Sequence, residues 1–443
     1  MTLLLPSTGG PTRCWGRFTP SPFVRSWGCW RRLTKSKTAA VRGGPTPTAL
    51  CGGLTSDGSC SSQTDGNLEV SSLLLMVVKM ARDKFAQEIS FRTDDKDISL
   101  AKALLLVAAE DEAVLTSNQD MDAHSLRNER NDATLPYKSH LELNDVHEIF
   151  LAGKSIHGWL NELDIIAREV EAELISRDIG CHLMEILEAV NTVLFGIRGF
   201  KRFPVLVDSK LSYMHTVLSS GCGSAIMISI IYIEVCRRLG VSIVGSRVGE
   251  EFLIWPQTEN PQELFRASSG QSLLAIINGR CVEDPRSKAS DLDSKSLLGL
   301  DIASNREIIG IALANMIRLH WKRASRTNPG LMLTSPLRPV YAVNEKASKI
   351  GSSKNPLLRP LELRLAAMAA ERLLILKPDN WTLRRDHGML LYYGRRYAEA
   401  VQELSICMAL APVEEAEALE RFVEKLHLLR LESSWKSLEQ LAR

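Results

Sequence analysis

Residues 208–255 read DSKLSYMHTVLSSGCGSAIMISIIYIEVCRRLGVSIVGSRVGEEFLIW, and the hydrophobic pattern of this stretch changes midway. Residues 224–239 are apolar on nearly every side, end in two arginines and are followed by Gly240, which together predict a buried helix with a glycine cap. Residues 241–248 and 252–255 instead alternate or are rich in β-branched side chains, as strands are. The stretch therefore predicts a buried helix that leads into a pair of strands.

The sequence on either side extends this pattern in both directions. Apolar residues recur at helical spacing in three segments before the stretch and in one after it, at residues 99–112, 158–174, 183–195 and 305–323. Further short strands are predicted at residues 273–278 and 280–283, and the polar segment 118–138 is predicted to be a loop. The expected fold class is α+β, with a helical N-terminal subdomain, a core that contains a small antiparallel sheet, and C-terminal helices.

A repeat marks the C-terminal part of the chain. Pro378 and Pro412 are 34 residues apart, the period of the tetratricopeptide repeat, and Gly388 supplies a small residue where two helices must cross. The segment 326–360 is dense in Pro, Ser, Gly and Lys and is predicted to be a linker. We therefore predict a tetratricopeptide-like repeat at residues 361–435, which is too short to hide its apolar faces without the rest of the protein.

The first 56 residues are unusually basic. They hold eight Lys or Arg and no Asp or Glu, and they are rich in Ser, Thr and Pro. This composition predicts an organellar transit peptide over residues 1–65. The expected destination is the chloroplast stroma, with the mitochondrion as the alternative, and a disordered cytosolic tail would share the same composition.

The rest of the chain is slightly acidic. Removing the eight basic residues of the leader from the total of 54 leaves 46 basic against 52 acidic residues, so nucleic acid is not an expected partner. No apolar run reaches the ~18 residues that a spanning helix needs, and we expect no membrane span.

Motifs for metals, cofactors and common nucleophiles are missing from the sequence. It has no phosphate-binding G-x-x-x-x-G-K, no G-x-G-x-x-G, no H-E-x-x-H and no G-x-S-x-G. Its nine cysteines include no C-x-x-C pair, which argues against a zinc site and against a disulfide framework. We therefore expect neither a metal nor another cofactor.

Several short motifs occur in an order that resembles the SirB-type subgroup of the transglutaminase-like superfamily. They are LSYMHTVL (211–218), YIEVCRRLG (232–240), GEEFL (249–253), DP (284–285) and RDHG (385–388). The resemblance implies a SirB-type domain at residues 90–325 coupled to C-terminal tetratricopeptide repeats, as in plant proteins of this architecture that carry a plastid leader. It also implies a papain-like α+β core, in which active members place a Cys at a helix N-terminus and a His and an Asp on the following strands.

The same resemblance implies that two of the three catalytic groups are lost. The nucleophile position falls at Ala225 and the imidazole position at Glu251, and only Asp284 matches its expected residue type. Cysteine chemistry needs both a thiol and a base, so a catalytically degenerate domain is implied. We expect a module that binds protein partners or regulates their stability or assembly. Glu250 and Glu251 are its candidate partner-binding residues, with exposed strand-end charges as the alternative interpretation.

Cys222 keeps an enzymatic alternative open. It lies three residues before Ala225, just ahead of the predicted N-cap Ser224, and His215 is seven residues upstream. A cysteine-dependent hydrolase or acyl transferase would use this pair. The structural interpretation is a small buried cysteine between two glycines of a tight turn.

Overall fold

The computed structural model describes residues 65–130, 148–177, 183–203, 205, 207–248, 251–257, 275–277, 280–282, 301–325 and 358–441. These residues form mostly helices with small sheets, which confirms the expected class. The predicted leader, nearly all of the predicted linker, Glu250 and Asp284 lie outside the described residues.

Two long helices pack together at the start of the described chain. Helix α1 spans Asp65–Glu88 and helix α2 spans Leu100–Arg130, with a short 3₁₀ turn at Asp95–Asp97 between them. All side chains of residues 103–109 are buried, and Phe85 of α1 is fully buried as well. Because the first part of α2 is an almost continuous Ala/Leu run, it can be surrounded by other elements on all sides. Helix α2 continues through residues 118–130, so this part of the predicted loop 118–138 is helical, although its composition is polar.

The central part of the chain consists of short strands and helices. In chain order they are β1 (Phe150–Leu151), β2 (Lys154–Ser155), α3 (Ile156–Ser176), α4 (Leu183–Asn191), a π-helical turn (Thr192–Ile197), β3 (Lys201–Arg202), a 3₁₀ turn (Ser209–Ser212), α5 (Met214–Ser220) and β4 (Cys222–Gly223). Strands β1 and β2 form an antiparallel hairpin, whereas β3 and β4 pair in parallel. The predicted apolar stripe of α3 is buried at Trp159, Leu163, Ile166, Val170 and Leu174.

Helix α6 (Ala225–Arg238) is the predicted buried helix. The Ser224 hydroxyl accepts a hydrogen bond from the Met227 amide at 3.4 Å and caps the N-terminus, which confirms the expected N-cap. Every side chain of residues 226–236 is buried, and the chain leaves the helix at Gly240, whose φ of +76° favours glycine. The buried carboxylate of Glu234 accepts a hydrogen bond from the Ala101 amide at 3.0 Å, so α6 is attached to the start of α2.

The predicted strands that follow α6 form two antiparallel pairs. The pairs are β5 (Ile243–Val248) with β6 (Glu251–Pro256), and β7 (Ala275–Ile277) with β8 (Arg280–Val282). Within the described residues, β6 and β7 lie close together without a hydrogen-bonded ladder, so the expected single sheet is divided into two hairpins.

Five helices complete the described chain. They are α7 (Asn305–Ala324), α8 (Pro360–Leu376), α9 (Trp381–Tyr393), α10 (Tyr397–Leu410) and α11 (Val413–Leu441). Helix α8 packs extensively against α7, and its apolar face belongs to the same core as α2 and α6. Helices α9, α10 and α11 enclose a smaller cluster around Leu404 and Leu426. The C-terminal helices are therefore joined to the rest of this unit through α8.

None of the helices in the described part of the chain combines the length and the apolar character needed to cross a membrane.

Candidate functional site

The N-terminus of α6 lies at the position where the sequence predicted an inherited nucleophile. Ala225 is the first residue of the helix, directly after the N-cap Ser224. A thiol at this position would benefit from the helix dipole, but the Ala225 methyl group can neither attack a substrate nor lose a proton. Ala225 itself therefore supplies no nucleophile.

A cavity of about 430 Å³ opens at this helix N-terminus, and we call it the α6 cavity. Its floor is formed by the first turn of α6, and one wall is apolar and includes Phe203, Phe252, Met316 and Leu319. Four cationic residues also line it: Arg202, Arg247, Arg318 and Lys322. None of the described residues that line the cavity is acidic. The site is thus a basic, partly apolar cleft.

Cys222 lies beside this cavity and does not line it. It is half-buried on β4, where it pairs with Lys201 of β3. The Cys222 amide donates a hydrogen bond to the Ser220 hydroxyl at 3.2 Å, and the same hydroxyl donates to the Cys222 carbonyl. These contacts hold the backbone of Cys222 in the turn between α5 and α6.

His215 is engaged with residues other than Cys222. Its Nε2 atom is 3.1 Å from the Thr216 hydroxyl and 3.5 Å from a Glu112 carboxylate oxygen, and its ring packs edge-on against Trp159. Burial, with the nearby Lys210 charge, lowers the pKa of His215 to about 4. Because a general base works best with a pKa near the operating pH, His215 is poorly suited to take a proton from a thiol.

The remaining predicted site residues lie at or beyond the edge of the described structure. Glu251 is the first residue of β6 and pairs with Val248 across the hairpin, and its neighbour Phe252 lines the α6 cavity. The strand predicted to carry the imidazole position thus begins at the cavity. Glu250 and Asp284 lie outside the described residues, so their proposed roles stay predictions.

The sequence did not single out the cations of the cavity. Arg202 and Arg247 come from β3 and β5, and Arg318 and Lys322 lie one turn apart on α7. Because the four residues are spread over three elements, only the fold brings them together. The spacing of Arg318 and Lys322, which puts both on one face of α7, was an available sequence signal.

A second charged cluster, missed by the sequence, is fully buried. The Arg372 guanidinium donates hydrogen bonds to Glu110 at 2.8 Å and to Asp111 at 2.6 Å. The Tyr213 hydroxyl donates to Asp111 at 2.9 Å and lies 3.3 Å from Nε2 of His320. Burial, together with the Asp111 charge, raises the pKa of Tyr213 well above its ordinary value. This cluster connects α2, α7 and α8.

An open depression with a volume of about 1090 Å³ lies between the N-terminal helices and the C-terminal helices. We call it the tyrosine groove, because Tyr392, Tyr393 and Tyr397 form one side of it. Among the described residues that line the groove, Glu371 is the one acid, and five are cationic: Lys79, Arg82, Arg364, Arg395 and Arg396.

The match to known families covers the part of the chain that contains the α6 cavity. Residues 157–314 match the model of a family described as the transglutaminase-like superfamily. This part of the chain is a transglutaminase-like domain. It includes His215, Cys222, Ala225 and Glu251, so the catalytic positions inferred from the resemblance fall inside the match. No curated protein and no solved structure matches the chain significantly.

In the part of the chain that the structure describes, no group of three or more His, Cys, Asp or Glu side chains is arranged to hold a metal ion.

Proposed function

We propose that this protein is a non-catalytic binding protein of the chloroplast stroma, built on a SirB-type transglutaminase-like domain with C-terminal tetratricopeptide-like helices. The observation that carries the proposal is Ala225 at the first position of α6. The helix still begins at the inherited position and still faces a cleft, yet the attacking atom is missing.

The contacts of Cys222 argue against the enzymatic alternative. A cysteine nucleophile needs a base within about 2.6 to 3.2 Å of its sulfur. In the described residues Nε2 of His215 is hydrogen-bonded with the Thr216 hydroxyl and lies 3.5 Å from a Glu112 carboxylate oxygen, and Cys222 does not line the cleft. The described contacts therefore do not support a hydrolase or an acyl transferase that uses Cys222.

The tyrosine groove supports binding of a protein segment. Tyrosine and arginine are the residue types that dominate protein interfaces, and the groove combines three tyrosines with four arginines. Glu371, the one acidic residue among the described lining residues, is already paired with Arg82 at 2.7 Å, so positive charge prevails among them. We propose that the occupant is an acidic partner segment with interspersed apolar residues.

A peptide of alternating Glu and Leu residues tests this assignment directly. We expect a fluorescent version to bind the purified protein, with an affinity that falls as salt is raised, because surface charges are screened by ions. The matched peptide with Gln in place of Glu should bind much more weakly. Reversing the groove charge with Arg364→Glu and Arg395→Glu should abolish binding of the Glu peptide.

A photoreactive amino acid at position 397 then identifies the natural partner in stromal extract. We expect one discrete cross-linked product from position 397, and none from the same amino acid at the exposed position of Trp435, which does not line the groove. Cross-linking that survives the Arg364→Glu and Arg395→Glu changes, or no discrete product at all, would count against the groove as the binding surface.

The stromal location is tested by sequencing the N-terminus of the protein from isolated chloroplasts. We expect a mature protein that begins between about residues 45 and 75, upstream of the buried positions Ala81 and Phe85 of α1. Intact Met1 on protein recovered from the cytosol would refute the location and leave the binding proposal untouched.

A further inference from the structure

We infer that the α6 cavity binds a small organic anion that carries phosphate or carboxylate groups. The inference goes beyond the proposed function, because it concerns a second ligand at a site separate from the tyrosine groove. The two sites share no lining residue.

The charge of the cavity carries the inference. Four cationic residues line it and no described lining residue is acidic, although the chain from Asp57 onward holds more acidic than basic residues. A one-sided cluster of this kind in a slightly acidic chain creates a local positive potential that attracts anions.

Two of these cations have no partner within the described part of the chain. Arg202 and Lys322 make neither a hydrogen bond nor an ion pair there, and Arg318 donates to the neutral Asn315 amide oxygen at 3.1 Å. Arg247 and Arg318 also border a neighbouring cavity with acidic lining residues such as Asp301, and Arg202 and Lys322 do not line that cavity. Arg202 and Lys322 thus contribute positive charge to the α6 cavity that no described carboxylate neutralises.

This pattern differs from that of the buried arginine on α8. Arg372 has no exposed surface and pairs with both Glu110 and Asp111. Breaking a buried pair of that kind strongly destabilises a protein, which is typical of a structural role. Arg202 and Lys322 are exposed and pair with no described carboxylate, so their arrangement suits an incoming ligand better than a structural role.

The first turn of α6 adds neutral donors to the cationic rim. In an α-helix the first amides have no acceptor within the helix, and Ser224 caps only the amide of Met227. Within the described part of the chain the amides of Ala225 and Ile226 have no acceptor, and both residues line the cavity. An oxyanion seated there would receive hydrogen bonds in addition to the charge of Arg202 and Lys322.

Size and apolar content restrict the ligand to a small organic molecule. The volume of about 430 Å³ falls in the range of roughly 300 to 1,000 Å³ that is usual for small-molecule sites. Phe203, Phe252 and Leu319 offer apolar contact to the uncharged part of such a molecule. The small methyl group of Ala225 leaves the floor open, so loss of the nucleophile makes room for the anion.

A thiol introduced at the cavity floor reports the local charge. In the Ala225→Cys variant made on a Cys222→Ser background, the thiolate sulfur displaces iodide from iodoacetate or from iodoacetamide and forms a thioether, and the thiol proton passes to buffer. The two reagents are similar in size, and iodoacetate carries a negative charge. We expect the iodoacetate to iodoacetamide rate ratio at the introduced thiol to exceed that of a free thiol by about tenfold, as a positive cleft concentrates anions.

Removing the charges of Arg202 and Lys322 tests whether these residues cause the raised rate ratio. Arg202→Gln with Lys322→Gln should lower the rate ratio severalfold, towards that of a free thiol, because Arg247 and Arg318 remain. Arg421→Gln with Lys425→Gln, which removes the same charge from exposed positions outside both the cavity and the tyrosine groove, should leave it raised. A rate ratio that does not depend on Arg202 and Lys322 would overturn the inference.

Calorimetry on the unaltered chain gives an independent test with inorganic pyrophosphate and with citrate, at matched ionic strength. Binding of pyrophosphate alone would indicate a phosphate ligand, binding of citrate alone a carboxylate ligand, and either must be lost in the Arg202→Gln, Lys322→Gln variant. Absence of binding by both anions, or binding that persists in that variant, would overturn the inference.

Discussion

His387 shows at the scale of single residues how the C-terminal helices are held together by charge. Its ring is almost fully buried on α9, with Nε2 at 3.6 Å from a Glu371 oxygen and Nδ1 at 3.5 Å from a Glu403 oxygen. Burial lowers the pKa of His387, but the two carboxylates outweigh burial and hold it above its ordinary value. Burial alone would raise the pKa of Glu371, but His387 and Arg82 outweigh it and lower that pKa to about 2.

This arrangement predicts a pH-dependent contribution to stability. A histidine with a raised pKa in the folded state stabilises fully below its unfolded pKa of about 6.5, and the contribution is lost as pH rises through the folded value. We expect His387→Gln to lower the free energy of unfolding by about 1 to 3 kcal/mol at pH 6, and by clearly less at pH 9. Chemical denaturation at the two pH values measures the difference.

The exposed His427 of α11 provides the matched control, because His427→Gln should change stability little at either pH. Burial raises the pKa of Asp386 to about 7, so this carboxyl also titrates between pH 6 and pH 9. Because Asp386 is present in both variants, its effect on stability largely cancels when His387→Gln is compared with His427→Gln. An equal loss at pH 6 and pH 9 for His387→Gln would show that only its packing matters.

The contacts of single buried residues such as His387 could not be predicted from the sequence. The partners of His387 lie 16 residues away on either side, on two other helices, and the partners of Arg372 lie more than 260 residues away. No local pattern marks such contacts. Ala225 was predictable, because its place depends on the start of one strongly apolar helix and on the resemblance of the surrounding motifs.

The close crossing of α9 and α10 decides the geometry of the C-terminal part at the scale of elements. A Cβ atom added at Gly388 would lie 2.6 Å from Cγ of Leu404 and 2.7 Å from its Cδ2. Leu404 is fully buried in the small cluster of α9, α10 and α11. The helices can therefore approach only because position 388 has no side chain.

Replacing Gly388 should lower the stability of the protein even when the new residue is alanine, which adds a single methyl group. Alanine is the better helix former by about 1 kcal/mol, yet overpacking a core costs about 1 to 3 kcal/mol, so we expect Gly388→Ala to destabilise on balance. The control is Gly310→Ala on α7, where the added Cβ would meet Leu373 at an ordinary 3.4 Å and should be neutral or stabilising. A Gly388→Ala protein as stable as the natural chain in thermal unfolding would refute the close crossing.

The sequence was most informative about elements with a strong hydrophobic period. Helices α3, α6 and α7 were predicted within a few residues of their ends, since each has a buried stripe or a fully apolar body with clear caps. Helix α1 was not predicted, and α2 continues to Arg130 through a polar segment without apolar spacing. A helix that lacks an apolar stripe gives no periodic signal.

At the scale of the whole described unit, Arg372 fastens the C-terminal helices to the N-terminal pair. It extends from α8 to Glu110 and Asp111 of α2, and Arg82 of α1 adds a bond of 2.9 Å to Glu110. Helix α8 also shares its apolar core with α2 and α7. Polar and apolar contacts thus join the same elements.

Removing this residue should weaken the whole unit rather than one helix. Arg372→Met leaves two buried carboxylates with fewer partners, and breaking a buried ion pair costs about 3 to 5 kcal/mol. We expect a loss of that size in urea denaturation, partly recovered when Glu110→Gln and Asp111→Asn are added. Arg364→Met, on the exposed face of α8, is the control and should be nearly neutral. If Arg372→Met were as stable as the natural chain, the ion pairs of Arg372 with Glu110 and Asp111 would not hold these helices together.

The organisation of the whole chain was predicted from two kinds of information, which are local hydrophobic patterns and the resemblance to a known family. Hydrophobic period and the order of short motifs predicted a transglutaminase-like part followed by helices, and the family match confirms the former. How α8 docks between α2 and α7 could not be read from either, because docking depends on side chains that are distant in sequence. The same holds for the cations of the α6 cavity.

The most direct test of the proposed non-catalytic function is mass spectrometry of the intact protein after incubation with an electrophilic peptide probe. Cys222 is displaced from the start of α6, and the pKa of its nearest histidine in sequence, His215, is lowered to about 4. We therefore expect no stoichiometric adduct on Cys222, and the same slow labelling in the natural chain and in His215→Ala. Rapid, stoichiometric labelling of Cys222 that disappears in His215→Ala would contradict this account and establish a cysteine enzyme.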